Sequence, residues 1–264
     1  MDASARDRIA IRTSREIDGI RAAGLVVHEV LEELERAAQA GVTTAELDRL
    51  AEARTRALGA VPAFLGYHGY PASLCVSVND EVIHGIPSPR RKLRAGDVVG
   101  LDYGVVLDGW FADSARTVAV GATSPAAARL LAVTREALAR AIRAARPGGR
   151  LGDVGAAVQE WVEGQGFSVV RDFVGHGIGR RLHEPPQIPN FGKAGTGVPL
   201  APGMVLALEP MVNEGGAEVE TLDDGWTAVT ADGRWSAHFE HTVALTENGP
   251  EILTLPAGVA FSSE

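Results

Sequence analysis

Apolar residues in the first quarter of the chain recur at spacings of three and four, the period of an amphipathic α-helix. The pattern runs from Ser14 to about Gly59 and is interrupted at Gly41, after which Thr43 or Thr44 is suited to cap a second helix. The same plan returns in the middle of the chain. Two pairs of helices are therefore predicted.

The second pair of predicted helices runs from Pro125 through Ile142 and from Leu151 to Gln165, with a Pro-Gly-Gly interruption at 147–149. Its second member aligns with the corresponding helix of the first pair at an offset of 107 residues. A strand-like region follows each pair. The chain therefore has the pattern of an internal duplication.

Two apolar runs typical of buried strands repeat at the same offset. They are GDVVGLDYGVV at 96–106 and PGMVLALEPMV at 202–212, and each contains a carboxylate, Asp102 in the first and Glu209 in the second. Charged groups are almost never buried without a partner or a metal. The repeat therefore directs two carboxylates toward one interior place, which is the candidate active site.

Together the repeats predict an α+β fold of two halves, about 14–121 and 122–254, related by a pseudo-twofold axis. VIHGIP at 82–87 resembles VGHGIG at 174–179 at an offset of 92, so the halves differ by insertions. Short apolar repeats also arise by chance, but the coincidence of helix, histidine and carboxylate positions favours a duplication. A ligand cleft is expected where the two halves meet.

The dipeptide Asp108-Gly109, between two β-like runs, is a strong signal for a tight hairpin. If these residues form the loop, Asp113 lies opposite Gly104 and diagonal to Asp102. Diagonal neighbours are roughly 7–8 Å apart, close enough for two carboxylates to bind ions between them. A bulge at the turn would change this register.

A second hairpin is predicted between 205–212 and 236–246, which makes Glu209 and Glu240 the counterparts of the first two carboxylates. Four inward carboxylates raise one another's pKa, and divalent metal is the compensation we expect. With His176, this oxygen-rich set suits manganese, iron, cobalt or zinc. Two bridged ions would activate a water molecule for hydrolysis. Each residue alone has an ordinary structural interpretation; the conjunction favours the metal site.

Composition narrows the class of protein. The chain has 264 residues, 45% of them hydrophobic, and a formal net charge of −9, which argues against non-specific nucleic-acid binding. No apolar run has the length of a signal peptide or a membrane span. The single cysteine, Cys75, excludes an internal disulfide. We therefore expect a soluble, cytoplasmic protein.

Several motifs, in order, resemble the type I methionine aminopeptidases of the pita-bread metallopeptidase fold, family M24, over essentially residues 10–254. The motifs are YHGYPASLCVSVNDEVIHGIP (67–87), LDYGVVLDGWFADSART (101–117), GHGIGRRLHEPP (175–186), ALEPMV (207–212), DGWTAVT (224–230) and AHFEHTVALT (237–246). The resemblance implies a single catalytic domain at 10–254 around a curved antiparallel sheet. It leaves 1–9 and 255–264 as terminal tails.

The resemblance also implies the roles of individual residues. The ligands of two divalent ions fall on Asp102, Asp113, His176, Glu209 and Glu240, the same five as above. His84 and His183 would hold the substrate amide and the tetrahedral intermediate, and Glu209 would also shuttle a proton. The methionine side chain would bind Tyr67, Tyr70, Cys75 and Trp226, and Asn79 would be a further substrate or loop-positioning contact.

Two positions depart from the family pattern. Leu182 stands where phenylalanine is common, and His238 stands where glutamine is usual. Neither is expected to touch a metal ligand, so both should affect selectivity and rate and leave the metal chemistry unchanged.

The implied activity is removal of the initiator methionine from nascent polypeptides with a small second residue. The alternatives are a proline-directed peptidase of the same fold and a catalytically inactive module that binds peptides or proteins. The expected partners are nascent N-termini, with recruitment to the ribosome left open. No membrane or direct nucleic-acid contact is expected, and we expect a monomer.

Overall fold

A computed structural model describes residues 8–259 and 261 of the chain. Within these residues the four predicted helices are present. They are α1 (Ser14–Ala37), α2 (Thr44–Ala57), α3 (Pro125–Ala144) and α4 (Leu151–Gly164). None of these four helices is both long enough and apolar enough to cross a membrane.

Local sequence explains where the first two helices begin. The side chain of Thr43 accepts a hydrogen bond from the backbone of Glu46, whose carboxylate accepts one from the backbone of Thr43. Thr13 and Glu16 form the same reciprocal cap at α1. Such a cap satisfies backbone N–H groups that have no partner inside the helix and contributes about 1 kcal/mol. The predicted N-cap at Thr43 is confirmed.

The strands are antiparallel and belong to three sheets in the described part of the chain. They are β1 (Val61–Pro62), β2 (Cys75–Val78), β3 (Glu81–Ile83), β4 (Val98–Leu107), β5 (Trp110–Ala119), β6 (Ser168–Val169), β7 (Gly175–Gly177), β8 (Glu184–Ile188), β9 (Val205–Leu208), β10 (Met211–Asn213), β11 (Val219–Thr221), β12 (Ala228–Thr230), β13 (Ser236–His238), β14 (Glu240–Thr246) and β15 (Gly249–Ile252). The nine-stranded sheet has the order β1-β4-β5-β14-β9-β7-β8, with β2 beside β4 and β15 beside β14. Two three-stranded sheets, β13-β10-β6 and β11-β12-β3, accompany it.

Each helix pair packs mainly against the strands of its own half, although α3 also contacts β5 of the other half. Helix α1 lies against β4 and β5, and α3 lies against β9, β10 and β13. Leu31 of α1 and Leu101 of β4 belong to one apolar core, whereas Leu138 of α3 and Leu206 of β9 belong to another. Full burial of a leucine side chain contributes roughly 1.5–3 kcal/mol. The α+β class and the duplicated plan are confirmed.

The predicted domain limits at 10 and 254 and the division into 14–121 and 122–254 stay predictions. Of the predicted tails, residues 1–7, 260 and 262–264 lie outside the described residues. Phe261, in the predicted C-terminal tail, packs its ring 4.7 Å from the ring of His241.

Both predicted hairpins form. In the first, β4 and β5 pair without interruption and Gly104 lies opposite Asp113, so the predicted register is confirmed. In the second, β9 pairs with β14 and β10 pairs with β13. Glu209 and Pro210 separate the two segments on one side and Phe239 separates them on the other. The second hairpin is therefore bent between two sheets.

Candidate metal centre

Sheet register places the candidate ligands in two neighbouring rows on one face of the nine-stranded sheet. In the first row, Ala115 of β5 lies opposite Asp102 of β4 on one side and Glu240 of β14 on the other. Asp113 lies two residues from Ala115 along β5, so its side chain points to the same face. Three carboxylates from three adjacent strands thus face one space.

The second row joins Asp113 to His176. The backbone N–H of Asp113 donates to Thr242 Oγ1 at 3.2 Å, and that hydroxyl donates to the carbonyl oxygen of Asp113 at 2.8 Å. Thr242 lies opposite Ala207, and Ala207 lies opposite His176. The residues between the charged groups are small, which leaves room above the sheet for the imidazole and the carboxylates.

Glu209 enters the site from the bend in the second hairpin. It directly follows β9 and precedes Pro210, which has no backbone N–H with which to continue the ladder. Asn190 Nδ2 donates to the carbonyl oxygen of Glu209 at 3.0 Å and holds this bend. The bend turns the long glutamate side chain toward His176, whose Nε2 lies 3.5 Å from Glu209 Oε1.

His176 presents a lone pair to the carboxylates. Its Nδ1 donates to the carbonyl oxygen of Gly177 at 2.9 Å, which leaves Nε2 of the neutral ring without a proton. That Nε2 lies 3.6 Å from Asp113 Oδ2, and burial lowers the pKa of His176 to about 4. A lone pair facing two carboxylates is unfavourable unless a cation lies between them. The tautomer is that of a metal ligand.

The spacing of these atoms fits a bound metal ion. One ligand atom from each of Asp113, His176 and Glu240 lies within 4.8 Å of the others. Oxygen and nitrogen ligands lie about 2.0–2.2 Å from ions such as zinc, so two ligands of one ion are separated by roughly 3–3.5 Å. The separations of 3.5 and 3.6 Å from His176 Nε2 are slightly larger. The donor set therefore fits a divalent ion with a small inward adjustment.

Electrostatics also favour a bound cation. Burial raises the pKa of Asp113 to about 6. Burial, and then the charge of Asp113, raise the pKa of Asp102, Glu209 and Glu240 well above the usual range. Such groups ionise together at neutral pH only when positive charge compensates them. Within the described residues, no lysine or arginine forms an ion pair with these four carboxylates.

A cavity of about 280 Å³ opens onto this cluster. Eleven of the twelve predicted site residues line it, namely Tyr67, Tyr70, Cys75, His84, Asp102, Asp113, His176, His183, Glu209, Trp226 and Glu240. These predicted residues come from both halves of the chain and line one cavity. Sequence reasoning did not assign Phe64, His68, Ile83, Phe173 or Val174 to the site, although they also line the cavity. Each of these lies inside or beside a matched motif, which is the signal that could have found them.

One end of the cavity is apolar. The rings of Tyr70 and Trp226 meet edge to face with centroids 5.1 Å apart, and Tyr70 Oη donates to the carbonyl oxygens of Leu74 and Gly85. Burial, together with the charge of Asp102, raises the pKa of the Cys75 thiol. Cys75 therefore remains a neutral thiol, and the end is suited to an uncharged side chain.

A glycine completes the wall beside the metal cluster. A Cβ atom at Gly104 would lie 2.7 Å from the ring of Phe64, so only glycine allows that ring to pack on β4. The residue opposite Gly104 is Asp113. The ring of Phe64 therefore packs on β4 at Gly104, directly across the hairpin from the candidate ligand Asp113.

His183 is held over the cluster by its loop and by a tyrosine. Tyr67 Oη lies 2.7 Å from His183 Nδ1, and the ring of His183 is 4.3 Å from that of His176. Glu184 accepts hydrogen bonds from the backbones of Arg180 and Arg181 at 2.8 and 3.1 Å, which fixes the turn before His183. Burial lowers the pKa of His183 to about 4, so the ring is neutral at pH 7.

His84 lies on another side of the same cavity. Its backbone has a φ of 60°, a conformation that L-residues rarely adopt, and its ring contacts those of Phe173 and Trp226 edge to face. Burial lowers the pKa of His84 to about 4. Two neutral imidazoles therefore face the cavity from different elements, and each can donate one hydrogen bond.

Asn79 is the predicted site residue that does not line the cavity. Its Nδ2 donates to Asp97 Oδ1 at 3.0 Å, and its Oδ1 accepts from the backbone of Val98 at 2.9 Å. Its φ of 63° is tolerated by asparagine in a tight turn. Asn79 thus shapes the turn between β2 and β3, which supports the loop-positioning alternative predicted for it.

Of the two departures from the family pattern, His238 lies close to a candidate ligand without forming a hydrogen bond to it, and the expectation that neither departure touches a ligand stays a prediction. Nε2 of His238 lies 3.9 Å from Glu209 Oε2. Leu182 is buried and lines the cavity near His183, as expected for a residue that affects selectivity. The bend at Glu209 brings β13 under the ligand, and strand periodicity alone did not reveal this.

These features define a buried, carboxylate-rich candidate metal site on a duplicated α+β scaffold. Residues 18–247 match the family model of metallopeptidase family M24, and the chain belongs to that family. Among its relatives, methionine aminopeptidase A of Synechocystis sp. is 52% identical over 94% of this chain and 98% of its own length. The methionine aminopeptidase of Clostridium perfringens is 53% identical over 94% and 99%.

Solved structures agree with this assignment and confirm the pita-bread fold. The crystal structure of methionine aminopeptidase from Thermotoga maritima matches with a TM-score of 0.93 at 49% identity, covering 94% of this chain and all of that one. The prolidase from Pyrococcus furiosus matches with a TM-score of 0.75 at 24% identity. That likeness concerns the fold alone, and this chain covers 65% of the prolidase.

Proposed function

We propose that this protein is a dinuclear metal-dependent aminopeptidase that removes the initiator methionine from nascent polypeptides with a small second residue. One observation carries the proposal: the carboxylate and histidine cluster opens into the same cavity as the apolar end formed by Tyr70, Cys75 and Trp226. Relatives about 50% identical over nearly the whole chain are named methionine aminopeptidases, which supports the same activity.

Five side chains would hold the two divalent ions. They are Asp102, Asp113, His176, Glu209 and Glu240. When bound, the ions would lower the pKa of a water molecule and polarise the substrate carbonyl, and cobalt, manganese, iron and zinc all suit the donor set. Glu209, whose carboxylate lies in the same cluster, would also accept and release a proton beside the reacting water.

The two cavity histidines would act on the scissile amide. Burial raises the pKa of Tyr67, so its hydroxyl keeps its proton and would donate it in the hydrogen bond to His183 Nδ1. The proton of the neutral His183 ring then sits on Nε2, where it can donate to the carbonyl oxygen as negative charge develops. His84, across the cavity, would donate to or orient the peptide amide. A donor of this kind typically contributes a factor of about 10² to 10³ in kcat.

The apolar end would select the methionine side chain. A thioether packs favourably against ring edges, by about 0.3–1.5 kcal/mol for each contact, and Tyr70 and Trp226 offer such edges. A neutral Cys75 thiol adds a soft surface of similar polarity. A charged or branched polar side chain would lose its hydration at this end without gaining a partner.

The test uses purified, metal-free protein to which manganese or cobalt is returned. We expect release of methionine from a Met-Ala-Ser peptide, abolition of the activity by a chelator, and much slower release from a peptide with a bulky second residue. Faster cleavage of Xaa-Pro peptides would instead indicate a proline-directed peptidase. Stoichiometric metal without turnover of either peptide would indicate a peptide-binding module.

Monomeric state, cytoplasmic location and the absence of direct nucleic-acid contact remain predictions. The net charge of −9 supports the last of these. Recruitment to the ribosome would be tested by co-sedimentation with purified ribosomes at physiological salt, and the oligomeric state by analytical ultracentrifugation.

A further inference from the structure

Beside Glu209 lies a histidine that is not among the residues lining the cavity. His238 closes β13, and its side chain is buried. Thr117 Oγ1 accepts a hydrogen bond from the backbone N–H of His238 at 2.9 Å and donates to its carbonyl oxygen at 2.6 Å. Met211 pairs with His238 from the other neighbouring strand. The backbone is therefore fixed on both sides, and the direction of the imidazole is set.

The ring of His238 has an unsatisfied nitrogen that faces a candidate ligand. Among residues 8–259 and 261, no group forms a hydrogen bond with Nε2 of His238. The nearest acidic atom is Glu209 Oε2, at 3.9 Å. A buried polar atom without a hydrogen-bond partner is unfavourable, so a shorter distance between Nε2 of His238 and Oε2 of Glu209 is favoured. A movement of the Glu209 carboxylate by about 1 Å or less would bring Oε2 to hydrogen-bond distance from Nε2 of His238.

Glu209 lies between two histidines that offer it opposite chemistry. His176 donates through Nδ1 to Gly177, so its Nε2 presents a lone pair near Glu209 Oε1. His238 faces the other oxygen, Oε2, and a ring nitrogen is stable against a carboxylate oxygen only when it carries a proton. His176 would thus bind the same ions as Glu209, whereas His238 can donate a hydrogen bond to Glu209.

We propose that His238 is a positioning residue for Glu209: its Nε2–H donates to Oε2 and thereby directs Oε1 toward His176 and Asp113. This inference rests on the proposed function, because it assigns Glu209 to the metal set. Hydrogen bonds to a ligating carboxylate fix its orientation, and loss of such a partner typically costs about 10- to 100-fold in metal affinity or activity. A glutamine amide, the usual group here in the resembling family, keeps an N–H donor.

The test compares two variants of nearly equal shape. His238→Gln keeps an N–H donor, whereas His238→Met has similar length and volume without one. Manganese binding to each metal-free protein is measured by isothermal titration calorimetry. We expect His238→Met to bind about 10- to 100-fold more weakly than the unmodified protein and His238→Gln to bind within about threefold of it. At saturating manganese, His238→Met should lower kcat for Met-Ala-Ser with little change in KM.

His241→Gln is the matched control. His241 is equally buried and only three residues along the chain, but its Nδ1 lies 2.8 Å from Thr254 Oγ1 and faces Ser114, away from Glu209. Its manganese affinity should equal that of the unmodified protein. Far-ultraviolet circular dichroism checks that each variant folds, and His238→Asn, whose shorter amide cannot reach Glu209, replaces the Met variant if that one does not.

The outcomes separate this inference from the proposed function. Equal manganese affinity in His238→Met and the unmodified protein would overturn it, as would an equal loss in His238→Met and His238→Gln. If the unmodified protein binds none of manganese, cobalt, iron and zinc, the proposed function fails, and this inference, which rests on it, fails with it. A graded loss, restored by the amide, supports the assignment.

Discussion

The two hairpins that supply the carboxylates are built differently although they occupy equivalent places in the duplicated fold. The first pairs β4 with β5 over ten residues without interruption and turns tightly at Asp108 and Gly109. The second is divided at Glu209-Pro210 and Phe239, and a long connection joins its strands. The first hairpin is therefore regular, whereas the second is bent and its long connection contributes Trp226 to the cavity wall.

The difference matches the side chains that each hairpin contributes. Asp102 and Asp113 are short carboxylates whose positions follow directly from a regular register. Glu209 and Glu240 are longer and lie where the second hairpin breaks, with Glu240 opening β14 just after Phe239. The bend turns Glu209 toward His176, and the long connection carries Trp226 to the apolar end. The two candidate ligands whose positions follow from a regular register thus come from the first hairpin, and Glu209, the proposed ligand beside the reacting water, comes from the bent one.

The largest expected effect comes from removing one charge from each hairpin. Asp113→Asn and Glu240→Gln should both lower kcat/KM for Met-Ala-Ser by about 1,000-fold, because each removes a charged ligand worth several kcal/mol at the reaction centre. Both variants should also lose bound metal. Kinetics and elemental analysis of protein loaded with manganese measure the two effects.

Asp108→Asn is the control for these variants. Asp108 is exposed at the tip of the first hairpin, and asparagine tolerates its φ of 51°. Its activity and metal content should be unchanged. If Asp113→Asn retained full metal while Glu240→Gln lost it, the two hairpins would not share the ions. That result would contradict the proposal that both hairpins supply ligands to one site.

The next effect separates chemistry from metal binding. His183→Ala and His84→Ala should keep their metal, because neither imidazole belongs to the carboxylate cluster, and should lose about 100-fold in kcat through loss of a hydrogen-bond donor. Elemental analysis paired with kinetics provides the check. Loss of metal from His84→Ala in proportion to its loss of activity would show that this histidine is a ligand and that the assignment is wrong.

Sequence predicted the regular half of the site better than the bent half. The register of Asp113 against Gly104 followed from a two-residue turn whose geometry is local, and the cap at Thr43 followed from a contact between residues three apart. Local chemistry determines such features, so one sequence contains enough information for them. The roles of the histidines came instead from the resemblance to a known family.

Features that depend on contacts between distant segments were missed. Strand alternation cannot show that the chain bends at Pro210 and passes from one sheet to another, so the approach of His238 to Glu209 was not foreseen. For Asn79 the sequence left a substrate contact and a loop-positioning contact open, because a matched motif also contains residues that shape its turns, and the hydrogen bond from the backbone of Val98 supports the second. Phe64 reaches the cavity only because residue 104 is glycine.

A smaller effect is expected on the pH dependence of the stability of the metal-free protein. Asp102, Glu209 and Glu240 have a pKa well above the unfolded value, so the stability of the metal-free protein falls as pH rises through the range where they ionise. The buried histidines have a lowered pKa and oppose this trend only below about pH 6.5, where unfolded histidine begins to bind protons. Above pH 6.5 the carboxylates therefore dominate among these groups.

Bound metal should remove this loss, because it compensates the ionised carboxylates. At 100 times its Kd, manganese adds about 2.7 kcal/mol, which is roughly 5–10 °C in Tm for a chain of this size. The gain in Tm should be larger at pH 8 than at pH 6, since protons compete with metal for the ligands. Differential scanning calorimetry with and without manganese measures the gain. A gain that shrinks as pH rises would contradict the metal assignment.

The smallest expected effect concerns the hydrogen bond between Tyr67 of the first half and His183 of the second half. Tyr67→Phe removes the hydroxyl that lies 2.7 Å from His183 Nδ1 and leaves the ring packing in place. Without that donor the neutral imidazole can place its proton on Nδ1, and the fraction with the proton on Nε2 falls. Because a neutral hydrogen bond contributes about 0.5–1.5 kcal/mol, kcat should fall by no more than about tenfold, with KM nearly unchanged. A change confined to KM would show that Tyr67 acts by contacting the methionine side chain and not by orienting His183.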